Sequence, residues 1–198
     1  MDFDDLIRKR RMVRNYAADP VPPETLDRIV DAGLRSPSAG HSQGLGFVVV
    51  TKPELRKAIA ELAGEEEHVA RGFDRWISGA PAHIVITVSE QVYRDRYREP
   101  DKLGPHGEEV AWPVPFWWVD AGAAMMAILL AAVNEGLGAG FLGAHSIPGL
   151  GGLLSIPRRH APIGVVTVGY PRPDRRSSSL DRDRRPRHSM VHRETWQE

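Results

Sequence analysis

Residues 117–136 read WWVDAGAAMMAILLAAVNEG, a helical stretch that is apolar on almost every side. Roughly 20 apolar residues can span a bilayer. Here, however, Asp120 lies in the first turn and Asn134 and Glu135 lie in the last, so the uncharged stretch is shorter than a span requires. A helix that is apolar all round is otherwise buried in a protein. We therefore predict a helix buried in a core or a subunit interface, and no membrane span.

Shorter elements surround this helix. Apolar periodicity predicts helices at 2–10, Pro23–Leu34 and Pro53–Leu62. The second and third of these helices have proline in their first turn, where it is favoured. Short apolar runs predict strands at Phe47–Val50, His83–Val88 and Ile163–Tyr170. The glycine-dense residues 138–143 are expected to form a turn, with a short strand as the alternative for part of them. Because no repeat or linker divides the chain, we expect one domain over residues 1–198.

The composition narrows the class of protein. The 198 residues include 26 basic and 26 acidic side chains, so the molecule as a whole is not built to bind DNA or a membrane by charge. Cysteine is absent, which excludes disulfides, thiolate metal sites and cysteine nucleophiles. The charged start of the chain lacks the apolar run of a signal peptide, so the cytoplasm is the expected location.

The first candidate site is an arginine cluster after the N-terminal helix. It comprises Arg10, Arg11 and Arg14, with Met12 between them. Guanidinium groups bind phosphate through paired charge-assisted hydrogen bonds, and a short segment leaving a helix can present several of them. A solvated basic surface is the alternative, and on composition alone it is the commoner outcome.

A second arginine cluster lies near the C-terminal end. Arg182 and Arg184 would share one face of an extended segment, and Arg185 follows them. Nucleic acid is the rival ligand for such a cluster. Because acidic residues interrupt the arginines and aromatic residues are few, we expect no nucleic-acid partner.

Two loops of small residues are the remaining candidates. Residues 36–44, SPSAGHSQG, could bring backbone and hydroxyl donors to the edge of a flat ligand, although an ordinary turn explains them equally well. Residues 136–143, GLGAGFLG, lack the preceding strand and the following Lys-Ser/Thr of a P-loop. The histidine pair His188 and His192 lacks a clear helix and the carboxylate of a metalloprotease motif, so no metal site is expected.

Taken in order along the chain, these motifs resemble one family. Residues 10–16, RRMVRNY, match the pattern Arg-Arg-Ser-x-Arg-x-Phe/Tyr, and residues 36–43, SPSAGHSQ, match Ala/Ser-Pro-Ser-x-x-Asn-x-Gln. EGLG at 135–138 follows the long helix, and RRP at 184–186 precedes VHRETW at 191–196. Over nearly its whole length the chain resembles the nitroreductase-like FMN-dependent oxidoreductases.

This resemblance implies an α+β fold with a mostly antiparallel central sheet flanked by helices. It also implies an intertwined homodimer that holds FMN at its interface, with the long apolar helix in the core and at the dimer contact. The residues that it implies in cofactor binding are Arg10, Arg11, Met12, Arg14, Pro37, Ser38, Ala39, His41, Leu142, Gly143, Arg182, Arg184 and Arg185.

The resemblance also implies a role for each group of residues. Arg10, Arg11 and Arg184 would hold the phosphate, with Arg182 nearby. Arg14 would lie at the N1/O2 edge of the flavin and stabilise its anionic reduced form. Residues 37–39 would come from the other subunit and line the ring, and the backbone of residues 142–143 would approach N5.

Three positions depart from the family pattern. Met12 replaces the usual serine and removes a hydroxyl donor, His41 replaces asparagine, and Gly44-Leu45 replaces a frequent Pro-Trp. These departures bear on individual contacts rather than on FMN binding as a whole.

The implied activity is a ping-pong transfer of hydride from NAD(P)H through flavin N5 to a nitroaromatic, quinone or similar small acceptor. Because the flavin supplies the chemistry, no catalytic side chain is expected. A dehydrogenase, a dehalogenase or a flavin-cleaving enzyme of the same fold remains an alternative, as does a flavin-binding protein without turnover. The aromatic insertion at about 89–116 would either line the pocket or pack at the dimer edge.

Overall fold

Four antiparallel strands form one sheet in a computed structural model that describes residues 1–175 and 177–197. The strands are β1 (Leu45–Val50), β2 (Ala82–Val88), β3 (Gly138–Gly143) and β4 (Ala161–Gly169). Their order across the sheet is β1-β2-β4-β3, which leaves β2 and β4 in the centre. Every residue of β2 is buried, as expected for a strand covered on both faces. The predicted α+β fold with an antiparallel sheet is confirmed.

Helices cover the two faces of this sheet. They are α1 (Phe3–Lys9), α2 (Pro23–Leu34), α3 (Pro53–Leu62), α4 (Glu65–Ala70), α5 (Glu90–Arg96), α6 (Phe116–Asn134) and α7 (Leu150–Leu153). Short 3-10 turns occur at Ala39–His41, Ala144–Ser146, Ser178–Asp181 and Arg187–Ser189. Proline occupies the first turn of both α2 and α3, where its missing N–H leaves no hydrogen bond unmade.

The long helix α6 is the core helix of one sheet face. It buries Ala124, Ile128 and Leu129 against α2 and against the isoleucines and valines of β2 and β4. By length and composition α6 could cross a membrane, and about two fifths of it is buried inside the protomer. Phe116, Val119 and other apolar side chains of α6 remain exposed. The prediction of a core helix is confirmed for its inner side.

Residues 138–143, for which the sequence predicts a turn and a short strand at most in part of them, form strand β3 over all six positions, so the turn is wrong and the strand is confirmed. Glycine lowers strand propensity, but here it permits a close approach of backbone. A Cβ atom on Gly140 would lie 2.5 Å from the carbonyl oxygen of Val13. The glycines therefore let the segment after α1 lie directly on the edge of the sheet, where Met12 pairs with Ala139 as an isolated parallel bridge.

Candidate functional site

The arginine cluster after α1 lines an open cavity of about 560 Å³. Arg184 reaches the same cavity from the C-terminal segment, together with Arg175. The remaining lining residues are Met12, Asp174, Ser177, Ser179 and Leu180. The structure thus brings together all four residues predicted from the first cluster and one from the second: Arg10, Arg11, Met12, Arg14 and Arg184.

Backbone contacts to the sheet fix the course of the arginine segment. The N–H of Val13 donates to the carbonyl of Ala139 on β3 at 2.9 Å. The buried hydroxyl of Tyr16 donates to the carbonyl of Val13 at 2.8 Å and lies 2.8 Å from Oγ1 of Thr167 on β4. Burial raises the pKa of Tyr16 above its ordinary range, so the phenol keeps its proton and remains a donor. The segment is therefore anchored to the sheet at the place where its arginines line the cavity.

The carboxylate of Asp174 also binds the arginine segment. One carboxylate oxygen accepts a hydrogen bond from the Arg11 guanidinium at 2.6 Å, and the other accepts from the backbone N–H of Arg14 at 2.7 Å. The Asp174 side chain is only 10% exposed, whereas that of Arg11 is 52% exposed. Sequence reasoning missed Asp174, because no local pattern indicates a contact between positions 160 residues apart.

Arg14 and Arg175 are both held over aromatic rings. The Arg14 guanidinium lies 5.7 Å from the centre of the Trp76 ring, and that of Arg175 lies 4.9 Å from the Phe73 ring. Arg175 also donates to the carbonyl of Arg71 at 3.2 Å. Such stacking restricts a guanidinium without using all of its donors. Arg175 was not predicted, although it belongs to the arginine-rich C-terminal stretch.

Two predicted arginines do not line the cavity. Arg182 ends the 3-10 turn Ser178–Asp181, and Arg185 donates to the carbonyl of Ser189 at 3.1 Å. Neither belongs to the cavity wall in the protomer, although Arg184 between them does. The face that Arg182 and Arg184 were expected to share therefore does not extend to the cavity wall, which Arg184 lines without Arg182.

The donor set of the cavity fits a phosphate group. Five guanidinium groups face one carboxylate, and the hydroxyls of Ser177 and Ser179 add neutral donors. Phosphate oxygens accept such charge-assisted hydrogen bonds, and arginine is the preferred partner for them. A cavity of about 520 Å³ beside α3 and α4 is lined by four glutamates but only one lysine and one arginine, so its charge disfavours an anion.

The loop at residues 36–43 lies elsewhere in the protomer. Ser38 and His41 line a separate cavity of about 150 Å³, which shares no lining residue with the arginine cavity. Pro37 is exposed and Ala39 is half-buried. Within one chain the two predicted halves of a flavin site therefore do not meet, and the contribution of this loop across a dimer interface stays a prediction.

Leu142 and Gly143 end strand β3 on the edge of the sheet. Leu142 packs into the cluster that contains Ile147 and Val165. A Cβ atom on Gly143 would lie 2.7 Å from the imidazole of His145, so glycine permits that side chain to fold over the strand end. Ala139, which binds the arginine segment, precedes Leu142 by three residues, or roughly 10 Å of strand.

The aromatic residues of the insertion mainly pack on one another. The ring centres of Tyr97 and Trp112 are 4.5 Å apart, and those of Trp112 and Trp117 are 5.5 Å apart. Tyr93 is fully buried, and its hydroxyl donates to the carboxylate of Asp120 at 2.8 Å. These contacts lie within one chain, so whether the insertion lines the pocket or packs at the dimer edge stays a prediction.

Histidine and carboxylate side chains do not cluster in the described part of the chain. No group of three or more histidine, aspartate or glutamate side chains is placed to hold an ion within residues 1–175 and 177–197. His188 and His192 belong to a 3-10 turn and the irregular segment after it, not to one face of an α-helix.

Curated proteins similar to this chain include three with informative names. A protein of Methanothermobacter thermautotrophicus, provisionally named NADH dehydrogenase/NAD(P)H nitroreductase, is 29% identical over 99% of this chain and 88% of its own length. The FMN reductase [NAD(P)H] of Bacillus subtilis is 28% identical over 94% of this chain and 71% of its own. The iodotyrosine deiodinase of Nematostella vectensis is 28% identical over 91% of this chain and 71% of its own length.

Solved structures with the same fold include the NADPH:FMN oxidoreductase of Vibrio harveyi in complex with NAD+. It superposes with a TM-score of 0.74 at 24% identity, over 98% of this chain and 78% of its own. The model of the nitroreductase family matches residues 7–170, which include the arginine segment, the loop at 36–43 and the whole sheet. This chain belongs to the nitroreductase family.

Proposed function

We propose that this protein is an FMN-dependent oxidoreductase that uses NAD(P)H to reduce a small acceptor. The observation that carries the proposal is the cavity of about 560 Å³ that five arginines line, which has room for a phosphate group. FMN has such a phosphate, and riboflavin does not. The flavin reductases among the relatives support the choice of cofactor.

The bound flavin would supply the hydride chemistry, and the protein would bind and tune it. Arg10, Arg11 and Arg184 would hold the phosphate. Arg14, fixed by Trp76 and by its backbone bond to Asp174, would present a permanent cation to the electron-rich edge of the ring. A fixed cation stabilises the anionic reduced flavin more than the neutral oxidised one, which favours reduction.

A homodimer would complete the site. The loop at residues 36–43 is remote from the arginine cavity of its own chain, so it can contribute only to the cavity of a second copy. The exposed apolar side chains of α6 offer a surface for that copy. Contacts of this kind would also account for the apolar side chains of α6 that are not buried in the protomer.

The absorbance spectrum of the purified protein tests this function. We expect the bands of oxidised FMN near a stoichiometry of one per chain, and their bleaching when NADH or NADPH is added without oxygen. Adding a quinone or a nitroaromatic compound should then restore the spectrum. A protein that binds FMN but is bleached by neither nucleotide would be a flavin-binding protein rather than a reductase.

Reductive dehalogenation is a second candidate, favoured by the similarity to iodotyrosine deiodinases. In such a reaction the reduced flavin supplies two electrons to a carbon–iodine bond, iodide leaves and a proton takes its place. Release of iodide from an iodinated phenol by the dithionite-reduced protein would favour this activity. Reoxidation by quinone without iodide release would favour the reductase.

A further inference from the structure

The loop between α2 and β1 has an unusual backbone. His41 and Gln43 adopt positive φ angles of 55° and 56°, and Gly40, which precedes His41, adopts a φ angle of 61°. Residues with a side chain rarely adopt this conformation, and it persists only where surrounding contacts hold it. Bonds within the loop contribute, since the N–H of Gln43 donates to the Ser38 hydroxyl at 3.0 Å.

A buried carboxylate from α6 holds the loop from inside. Oδ2 of Asp120 accepts a hydrogen bond from the backbone N–H of Ala39 and another from the hydroxyl of Tyr93, each at 2.8 Å. Within residues 1–175 and 177–197, no lysine or arginine forms an ion pair with Asp120, whose residue exposure is 6%. Neutral donors therefore stabilise the carboxylate, and hydrogen bonds to a buried carboxylate are stronger than those between neutral groups.

The phenol of Tyr93 is suited to this contact. Burial and the neighbouring Asp120 raise the pKa of Tyr93 above its ordinary range, so the hydroxyl stays protonated. Its ring also packs against the base of the loop, where a Cβ atom on Gly44 would lie 2.6 Å from it. Tyr93 thus connects Asp120 with the end of the loop that enters β1.

The insertion holds the loop from its other side. Nε of Arg96 donates to the carbonyl of Gly40 at 3.0 Å, and the ring of Tyr97 occupies the space that a Cβ atom on Gly40 would need. Both terminal nitrogens of Arg96 bind the carboxylate of Asp101, at 2.8 and 2.7 Å. The insertion is therefore a support for the loop as well as an aromatic cluster.

These supports leave the outer surface of the loop open. Pro37, His41 and Gln43 are exposed, whereas the N–H of Ala39 points inward to Asp120. A loop fixed from behind presents a constant surface to whatever binds in front of it. A binding surface that is already ordered gives higher affinity, because the entropy cost of ordering it is not incurred when the ligand binds.

We propose that Asp120 is a positioning residue that fixes residues 37–39 for contact with the flavin ring. This inference rests on the proposed function, in which the loop lines the ring of FMN bound to a second copy of the chain. Asp120 does not line the arginine cavity and bonds to none of its lining residues. We therefore expect Asp120 to affect the binding of the flavin ring and not the binding of the phosphate.

The affinities for FMN and riboflavin separate the two contributions. Replacing Asp120 by Ala should weaken riboflavin and FMN binding by the same factor, about tenfold or more, because it removes a charge-assisted hydrogen bond to the loop. The ratio of the two affinities should stay at its wild-type value. The visible circular dichroism of bound FMN should also change, since it reports the surroundings of the ring.

Conservative and control variants complete the test. Asp120→Asn keeps a carbonyl oxygen that can accept from both donors, and we expect it to recover most of the affinity. Tyr93→Phe removes one hydrogen bond to Asp120 and keeps the ring, so we expect a smaller loss of flavin affinity. This variant replaces Asp120→Ala in the test if Asp120→Ala does not fold. Asp27→Ala, on the exposed side of α2, should leave both affinities unchanged.

The result that would overturn the inference is an unchanged riboflavin affinity in folded Asp120→Ala or Tyr93→Phe, with at most a lower melting temperature. An equal loss in Asp120→Ala and Asp120→Asn would also contradict it, since the hydrogen bonds would then not be the cause. A wild-type protein that binds neither flavin would instead overturn the proposed function on which the inference rests.

Discussion

The carboxylate of Asp174 joins the side chain of Arg11 to the backbone of Arg14 within the arginine segment. It accepts from the guanidinium of Arg11 at 2.6 Å and from the backbone N–H of Arg14 at 2.7 Å. One side chain thus orients the guanidinium that we propose for the phosphate and also fixes the backbone that carries the cation proposed for the flavin ring. In the proposed site, the phosphate and ring contacts of the cofactor would therefore be linked through this residue.

Arg184 and Arg185 offer a matched pair for testing the cavity. Because Arg184 lines the cavity and Arg185 binds the Ser189 carbonyl, only the first should contribute to phosphate binding. We expect Arg184→Ala to raise the Kd for FMN about tenfold and Arg185→Ala to change it by less than about twofold. Isothermal titration of the flavin-free variants measures both. Equal losses would show that the C-terminal segment binds differently in the assembled protein.

Arg14→Ala should lower the reduction potential of bound FMN. Removing a fixed cation near the ring destabilises the anionic reduced form relative to the oxidised one. The expected shift is on the order of 30–60 mV, since 30 mV corresponds to 1.4 kcal/mol for a two-electron couple. A redox titration against a reference dye reports it, with Arg185→Ala as control. An unshifted potential would remove the proposed role of Arg14.

Gly140→Ala should disturb the arginine segment through the sheet. The added Cβ atom would lie 2.5 Å from the Val13 carbonyl, so the segment must move away from β3. We expect a loss of about 1–3 kcal/mol in the free energy of unfolding, typical of overpacking, together with weaker FMN retention. Gly151→Ala is the control, because its Cβ atom would meet no neighbour within 4 Å. Urea unfolding followed by fluorescence compares the two, and similar stabilities would argue against the close packing of this strand.

His83 makes stability depend on pH. Burial lowers its pKa from 6.5 to about 4, and its Nε2–H donates to the Ile77 carbonyl at 2.7 Å. The unfolded chain therefore binds a proton at a higher pH than the folded one, and stability is lost as the pH falls from 6.5 towards 4. Between pH 7 and pH 5 this contribution amounts to about 2 kcal/mol.

Urea unfolding of wild type and His83→Gln at both pH values isolates this contribution. Glutamine can still donate to the Ile77 carbonyl but does not titrate in this range. The loss of stability on going to pH 5 should be smaller in the variant by about the same 2 kcal/mol. Parallel pH profiles for the two proteins would mean that His83 is not the group responsible.

Residue patterns predicted those helices and strands whose sequences follow one apolar periodicity. The strands β2 and β4 and the helices α2 and α3 follow from apolar runs and first-turn prolines. Strand β3 could not be predicted in this way. Its glycines indicate a turn locally, and only the approach of the Val13 backbone explains why they stand in a strand.

The candidate site was predictable to the extent that its residues form local motifs. Arg10, Arg11, Met12 and Arg14 lie together in sequence and in space, and Arg184 joins them. Asp174 and Arg175 were missed because their roles depend on contacts across most of the chain. Asp120 appeared in the sequence only as an interruption of an apolar helix, and its hydrogen bonds to the loop are visible only in the folded protein.

The central claim is that the arginine cavity binds the phosphate of FMN, and the affinities of the wild-type protein for FMN and riboflavin test it most directly. Several charge-assisted hydrogen bonds distinguish the two ligands, so FMN should bind at least about 100-fold more tightly. Arg10→Ala should reduce that ratio and leave riboflavin affinity unchanged. Equal wild-type affinities for FMN and riboflavin would contradict the assignment of the cavity.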